Sequence, residues 1–281
     1  MPRRSVRRTL LGVAYVGTAV VAMVFLFLPI VAIFAHTSPA ELVEQLGNPV
    51  VHDAFVVSLK TSLVAQVLIL VFGTPTAFLL ASRRFPGHAF AVTLVELPLV
   101  LPPAVAGIGL LAAFGRLGLL GSSLDAFGIS LPFTQGAVTV AVAYVASPLY
   151  IRQAIAAFEA TDPALSAASR TLGASPARTF FRIVLPLARG GLIAGLALSF
   201  ARGLGEFGAT IMFAGSLQHV TQTLPLAIYA EFDKNFDATL AMSGVLVLIS
   251  IVLLLGLRIG LTWQASYSKR SSFLFGPSVS G

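Results

Sequence analysis

Cysteine is absent from all 281 residues. No disulfide framework, thiolate metal site or cysteine nucleophile is therefore available. Charge is scarce as well: Asp, Glu, Lys and Arg together make up 10% of the chain. The four histidines, His36, His52, His88 and His219, are scattered and have no ligand spacing. There is no paired-carboxylate set, no Ser–His–Asp set on a common element, and no G-x-x-x-x-G-K-[ST] phosphate loop. The sequence thus offers no catalytic residue, no metal ligand and no cofactor site. Any ATP-driven activity would need an ATPase on another chain.

What the chain has instead is apolar surface. It is 57% hydrophobic, with a mean hydropathy of +0.92. That composition belongs to an all-α polytopic membrane protein, and the lipid bilayer is its first expected partner. Eighteen basic against eleven acidic residues leave a net charge of +7. The basic residues alternate with apolar spans instead of forming one patch, so no nucleic-acid partner is expected.

Six spans are expected, at about 10–35, 58–81, 89–113, 135–158, 187–212 and 239–262. The first apolar run follows Arg3, Arg4, Arg7 and Arg8 and is about 26 residues long. A signal-peptide core has roughly 7–15, so a retained span is the better reading. Gly73 and Pro75 can kink the second span. The third carries Pro98, Pro102, Pro103, Gly107 and Gly109 and reads as a broken helix facing protein or an aqueous cavity. Residues 36–54, 114–134 and 213–237 are expected as polar connections. The organisation is a basic N-terminus at 1–9, one transmembrane domain at 10–263 and a Ser-rich tail at 264–281.

Six spans put both termini on one side. Fourteen of the eighteen Lys and Arg share that side: Arg3, Arg4, Arg7, Arg8, Arg83, Arg84, Arg152, Arg170, Arg178, Arg182, Arg189, Arg258, Lys269 and Arg270. Lys60, Arg116 and Lys234 lie on or near the other side, and Arg202 is inside a span. The positive-inside bias places both termini in the cytoplasm of a multi-pass cell-membrane protein.

Residues 161–189, TDPALSAASRTLGASPARTFFRIVLPLAR, cannot cross a bilayer. Arg170, Arg178 and Arg182 would each cost roughly 2.5–3.5 kcal/mol at membrane depth. Asp162–Pro163 and Ser175–Pro176 are N-cap–Pro starts, Gly173 reads as a C′ glycine, and Pro186 is expected to stop the second helix. Two short cytoplasmic helices result, at roughly 163–172 and 176–185, between spans four and five. Leu165, Ala168 and Leu172 line one face of the first; Phe180, Phe181, Val184 and Leu185 give the second an apolar face. Such a pair suits docking of a soluble partner, or a folded loop whose arginines anchor to headgroups.

In the fifth span Gly191, Gly195, Ser199 and Gly203 recur every four residues. That stripe fits a subunit interface, a pathway wall or ordinary bundle packing. Arg202 and Glu206 lie one turn apart. Either Arg202 offers charge to an anion in transit, or the two form a satisfied pair that fixes the helix end. Glu96 in the third span lies near the cytoplasmic end and can reach the interface.

Gly173, nine residues, then Ile183–Val184–Leu185–Pro186 resembles the second half of the E-A-A-x-x-x-G-(nine)-I-x-L-P loop of ABC importer permeases. The family's Glu-Ala-Ala falls on Ala167, Ala168 and Ser169, so only the middle residue agrees. Residues 201–215 (ARGLGEFGATIMFAG), 221–229 (TQTLPLAIY), 97–109 (LPLVLPPAVAGIG) and parts of 58–87 (SLKTSL, GTPTAFLLA, RRFPG) look like the molybdate/tungstate branch, with sulfate permeases close by. The resemblance implies cytoplasmic ABC ATPase subunits gripping the two-helix loop, an extracytoplasmic oxyanion-binding protein, and a permease homodimer with a pathway between its subunits. It implies ATPase docking through Ala168, Leu172, Gly173, Ala174, Phe180, Arg182, Ile183, Leu185 and Pro186. The translocation pathway or gate would involve Arg202, Gly203, Glu206, Gly208 and Thr210. The expected activity is import of an oxyanion, molybdate before sulfate, thiosulfate or tungstate. A stand-alone channel or secondary carrier would call for inverted repeats, and the proline-rich third span has no counterpart in the second half.

Overall fold

Proline decides where many of the helices begin. The computed structural model describes residues 2–274 and contains, among them, helices and no strand. In chain order the helices are α1 (Pro2–His36), α2 (Pro39–Leu46), α3 (Pro49–Ser82), α4 (His88–Val100), α5 (Pro103–Phe114), α6 (Gly121–Ala126), α7 (Gln135–Glu159), α8 (Pro163–Thr171), α9 (Pro176–Thr179), a π-helical turn (Phe180–Val184), α10 (Leu185–Leu204), α11 (Gly208–Ala214), α12 (Leu224–Glu231) and α13 (Phe236–Leu274). Pro39, Pro49, Pro103, Pro163 and Pro176 each open a helix, where their missing N–H costs nothing. Side-chain caps reinforce several starts. Val50 N–H donates to Asn48 Oδ1 at 3.0 Å, Ala137 N–H to Thr134 Oγ1 at 3.3 Å, and Ala164 N–H to Asp162 Oδ1 at 2.9 Å.

Five helical stretches are long and apolar enough to cross a membrane: 12–36, 49–82, 135–159, 176–204 and 236–256. The sixth is the broken pair α4 and α5, bent by 114° at Leu101–Pro102. With 13 and 12 residues, each is only about 20 Å long, short of a hydrocarbon core of about 30 Å. Val95 of α4 packs on the cluster around the C-terminal half of α7, with Tyr150, Ala154 and Phe158. Ala106 and Leu110 of α5 pack on its N-terminal half, with Val138, Ala141 and Val142. The pair therefore reaches both halves of α7 and makes the sixth span when it is counted as one.

The helix α7 is the centre of the bundle. Small residues bring α3 and α10 onto it. A Cβ on Gly73 would lie 3.0 Å from the Tyr150 ring, and one on Gly203 would lie 2.8 Å from Val142 Cγ1. A Cβ on Gly191 would collide with Ala157, and one on Gly195 would sit 3.0 Å from Gln153 Cβ. Thus three members of the small-residue stripe serve packing of α10 on α7, and the fourth, Ser199, donates to Gln66 Oε1 of α3 at 2.9 Å.

Several boundaries differ from expectation. Pro186 does not stop a helix: 176–204 is one helical stretch. The π turn is the reason. Leu185 N–H donates to Phe180 O, five residues back, and the widened turn accommodates a proline that has no N–H and crowds the carbonyl four residues earlier. The fifth span ends at Leu204 instead of continuing to 212, because Gly205–Phe207 break it before α11. The connection 213–237 is not merely polar. Leu224, Leu226 and Ala227 of α12 are buried, and Leu224 and Ala227 pack on Ala238 and Met242 of α13.

Candidate functional site

Two places bring the sequence-marked residues together: the loop between α7 and α10, and the break between α10 and α11.

The loop is built for rigidity. Gly173 has φ +82°, where an L side chain is strained, and it closes a Schellman motif: Ala174 N–H donates to Ser169 O at 3.1 Å, and Gly173 N–H to Arg170 O at 3.0 Å. Arg178 N–H donates to Ser175 Oγ at 3.3 Å and starts α9. The two hydroxyls of Ser169 and Thr179 are buried and 2.9 Å apart, joining α8 to α9. Below them Phe180 stacks on Phe78 and Phe158, with centroids at 4.6 and 6.1 Å, and ties the loop to α3 and α7. Apolar side chains face outward beside the exposed Arg170 and Arg178: Leu165 is 46%, Leu172 88% and Phe181 64% exposed. Ala168, Gly173, Arg182 and Pro186 are exposed as well, while Ala174, Ile183 and Leu185 are half-buried. Of the apolar residues marked on the second helix, Phe180 and Val184 point into the bundle, not to a partner.

At the second place, Arg202 Nη1 donates to Glu206 Oε2 at 2.8 Å. The other carboxylate oxygen, Oε1, accepts from Ala209 N–H at 2.8 Å. Glu206 is buried and so bridges the end of α10 to the first turn of α11, while the Arg202 side chain is 34% exposed. The satisfied-pair reading fits this geometry. Gly208 presses on α5: a Cβ there would lie 2.6 Å from Pro103 Cβ. Gly107 presses back, since its Cβ would lie 2.6 Å from Ala209 O. The break in the third span and the break in the fifth are therefore packed against each other. Thr210 is fully buried with its hydroxyl unpaired, and Gly203 faces α7.

Sequence reasoning missed the Ser169–Thr179 bond and the α5–α11 contact, because no spacing rule links residues ten or one hundred apart. Glu96, expected near the interface, also forms an ion pair with Arg152 of α7, Oε1 to Nε at 3.0 Å.

The family described as binding-protein-dependent transport system inner membrane component matches residues 73–266. The molybdenum transport system permease protein ModB of Mycobacterium tuberculosis is 40% identical over 238 residues, 85% of this chain and 90% of that one. ModB of Escherichia coli K12 is 45% identical over 178 residues, covering 63% and 78%. The sulfate transport system permease protein CysT of the same strain is 35% identical over 272 residues, covering 95% and 97%. Among solved structures, a chain of a bacterial alginate ABC transporter, in complex with its pentasaccharide-bound periplasmic protein, superposes with a TM-score of 0.66 at 16% identity. It covers 90% of this chain and 93% of its own. A chain of the inward-facing MetNI methionine ABC transporter gives 0.59 at 18% identity, over 76% and 95%. These two show the fold alone.

Proposed function

We infer the function from membership: the chain belongs to the family of inner membrane components of binding-protein-dependent transport systems. On that premise it is the permease subunit of an ATP-driven importer that moves an oxyanion, molybdate in the first instance, into the cytoplasm. The observation that carries the substrate is the similarity to the two ModB proteins, at 40% and 45% identity. Sulfate stands second on the 35% identity to CysT. An extracytoplasmic binding protein delivers the anion, and two copies of the chain form the pathway between them. Cytoplasmic ATPase subunits dock on the exposed Leu165, Leu172 and Phe181 surface of the loop, at Ala168, Gly173, Ala174 and Arg182. Ile183, Leu185 and Pro186 hold that loop on α10. No step of this function requires a reaction at the chain itself.

A dianion cannot enter hydrocarbon unaided, so its route must be lined by protein and its contacts must be weak enough to release it. The pathway passes the junction of the two broken spans, where the partly exposed Arg202 is held by its pair with Glu206, and Gly203, Gly208 and Thr210 lie around it. ATP-driven closure of the ATPases selects one permease conformation by differential affinity, and hydrolysis releases it.

The test is uptake of radiolabelled molybdate by proteoliposomes holding the chain and its ATPase, with tungstate and sulfate competing. Molybdate uptake that excess sulfate does not suppress is expected. Uptake dominated by sulfate would move the chain to the second reading, and uptake without any ATPase would make it a carrier. Gly173→Val adds a β-branched side chain at φ +82°, costing about 1–2 kcal/mol locally. It should leave the protein in the membrane while ATP hydrolysis no longer drives uptake.

A further inference from the structure

The helix α4 is unusual in this bundle. Within a single chain it buries no residue, and Phe90, Leu94 and Val100 are all more than half exposed. It is bounded by two backbone turning points: Gly87, with φ +87°, and the extended Leu101–Pro102 pair. A short rod between two hinges with little buried surface is a movable element.

Besides the packing of Val95 on α7, polar contacts hold it. Near its middle, Glu96 forms an ion pair with Arg152, Oε1 to Nε at 3.0 Å. At its base, Arg84 Nη2 donates to Glu159 Oε1 at 3.4 Å, and His88 Nε2 bonds Leu80 O at 2.8 Å. Arg152 and Glu159 are seven residues apart on α7, hence on one face two turns apart. The pairs run antiparallel, residues 84 to 96 against 159 to 152. The same end of α7 passes into α8, four residues beyond Glu159. The far end of α4 meets the break that leads to α5, and α5 bears on α11 through Gly107 and Gly208.

We propose that the Glu96–Arg152 pair, supported by Arg84–Glu159, is a latch through which α7 sets the position of α4. Movement of the docking loop then reaches the junction of the two broken spans. The inference rests on the importer reading and adds two positioning residues to it. The pairs are partly exposed, with side chains between 39% and 74% accessible. Their strength suits a latch that forms and breaks, since an exposed ion pair shifts a two-state balance by at most about 5-fold.

The experiment compares molybdate uptake per ATP hydrolysed in proteoliposomes of the complete transporter. Wild-type uptake that depends on ATP is the premise; its failure would strike the importer reading and not the latch. Glu96→Gln and Arg152→Gln should each lower the ratio several-fold at unchanged membrane yield, and the swap E96R/R152E should restore most of it. A ratio unchanged in the single variants, or a swap no better than they are, overturns the latch. Because the chain has no cysteine, E96C/R152C gives an independent reading even if the glutamine variants fail to accumulate. Bridging the two thiols with a short bifunctional methanethiosulfonate should arrest uptake, and reductant should restore it. Uptake at the unbridged rate after full bridging also overturns the proposal.

Discussion

Glycine and one buried carboxylate govern the junction between the two broken spans. A side chain at Gly107 meets the Ala209 carbonyl, which is backbone and cannot swing away. Gly107→Val is therefore expected to destabilise the purified protein by about 1–3 kcal/mol, read as a lowered melting temperature. Gly109 has open space around it, and Gly109→Ala should melt as the wild type does. Glu206 poses a different problem. Arg202→Ala removes the partner of a fully buried carboxylate, so it should cost more than loss of a half-exposed arginine alone suggests. Adding Glu206→Ala should recover part of that loss, because no buried charge then remains unpaired. Melting temperatures of the two single variants and the double variant give the sign of the coupling; strict additivity would mean the pair contributes nothing. The i,i+4 spacing of Arg202 and Glu206 was readable in the sequence. The bond to Ala209 was not, because it exists only where the helix stops, and glycines at 203, 205 and 208 do not say which of them ends it.

At the scale of elements, the docking loop shows what local chemistry can and cannot specify. Asp162–Pro163, Gly173 and Ser175–Pro176 are strong punctuation, and α8 and α9 begin where they say. Pro186 was misleading, since a proline ends a helix only if the turn before it cannot widen. Here Phe180–Val184 widens. Pro186→Ala restores an N–H and removes the cause of the π turn. Closing the turn to α geometry would rotate α8 and α9 by about 100° relative to α10. Uptake per ATP should fall in this variant while the chain remains in the membrane. The Ser169–Thr179 bond is a tertiary fact with a local test. Thr179→Val leaves the buried Ser169 hydroxyl without a partner, a cost of about 1–3 kcal/mol. Amide exchange along α8 should quicken accordingly, and S169A/T179V should exchange more slowly than T179V alone.

For the molecule as a whole, the six spans and their order were legible because apolar length is a strong signal, and the breaks were legible only where prolines cluster. The helix α1 sets the largest remaining constraint. None of its apolar window is buried in the chain, and it meets the rest near one end, where Ile33 and Phe34 approach Gly244. Its surface is left for lipid or for a second copy. Arg3, Arg4, Arg7 and Arg8 precede it, and the basic residues of residues 83–84 and of the docking loop fall on the same side after an even number of crossings. The positive-inside bias then requires the loop at 115–134, with Arg116 as its only basic residue, to lie outside. A phosphatase that is active only outside the cytoplasm should work when fused after residue 122, and a fluorescent protein that folds only inside should light up when fused after residue 86. The reverse pattern would put α8 and α9 on the outer face, out of reach of any ATPase, and the docking function could not stand whatever the likeness to other permeases.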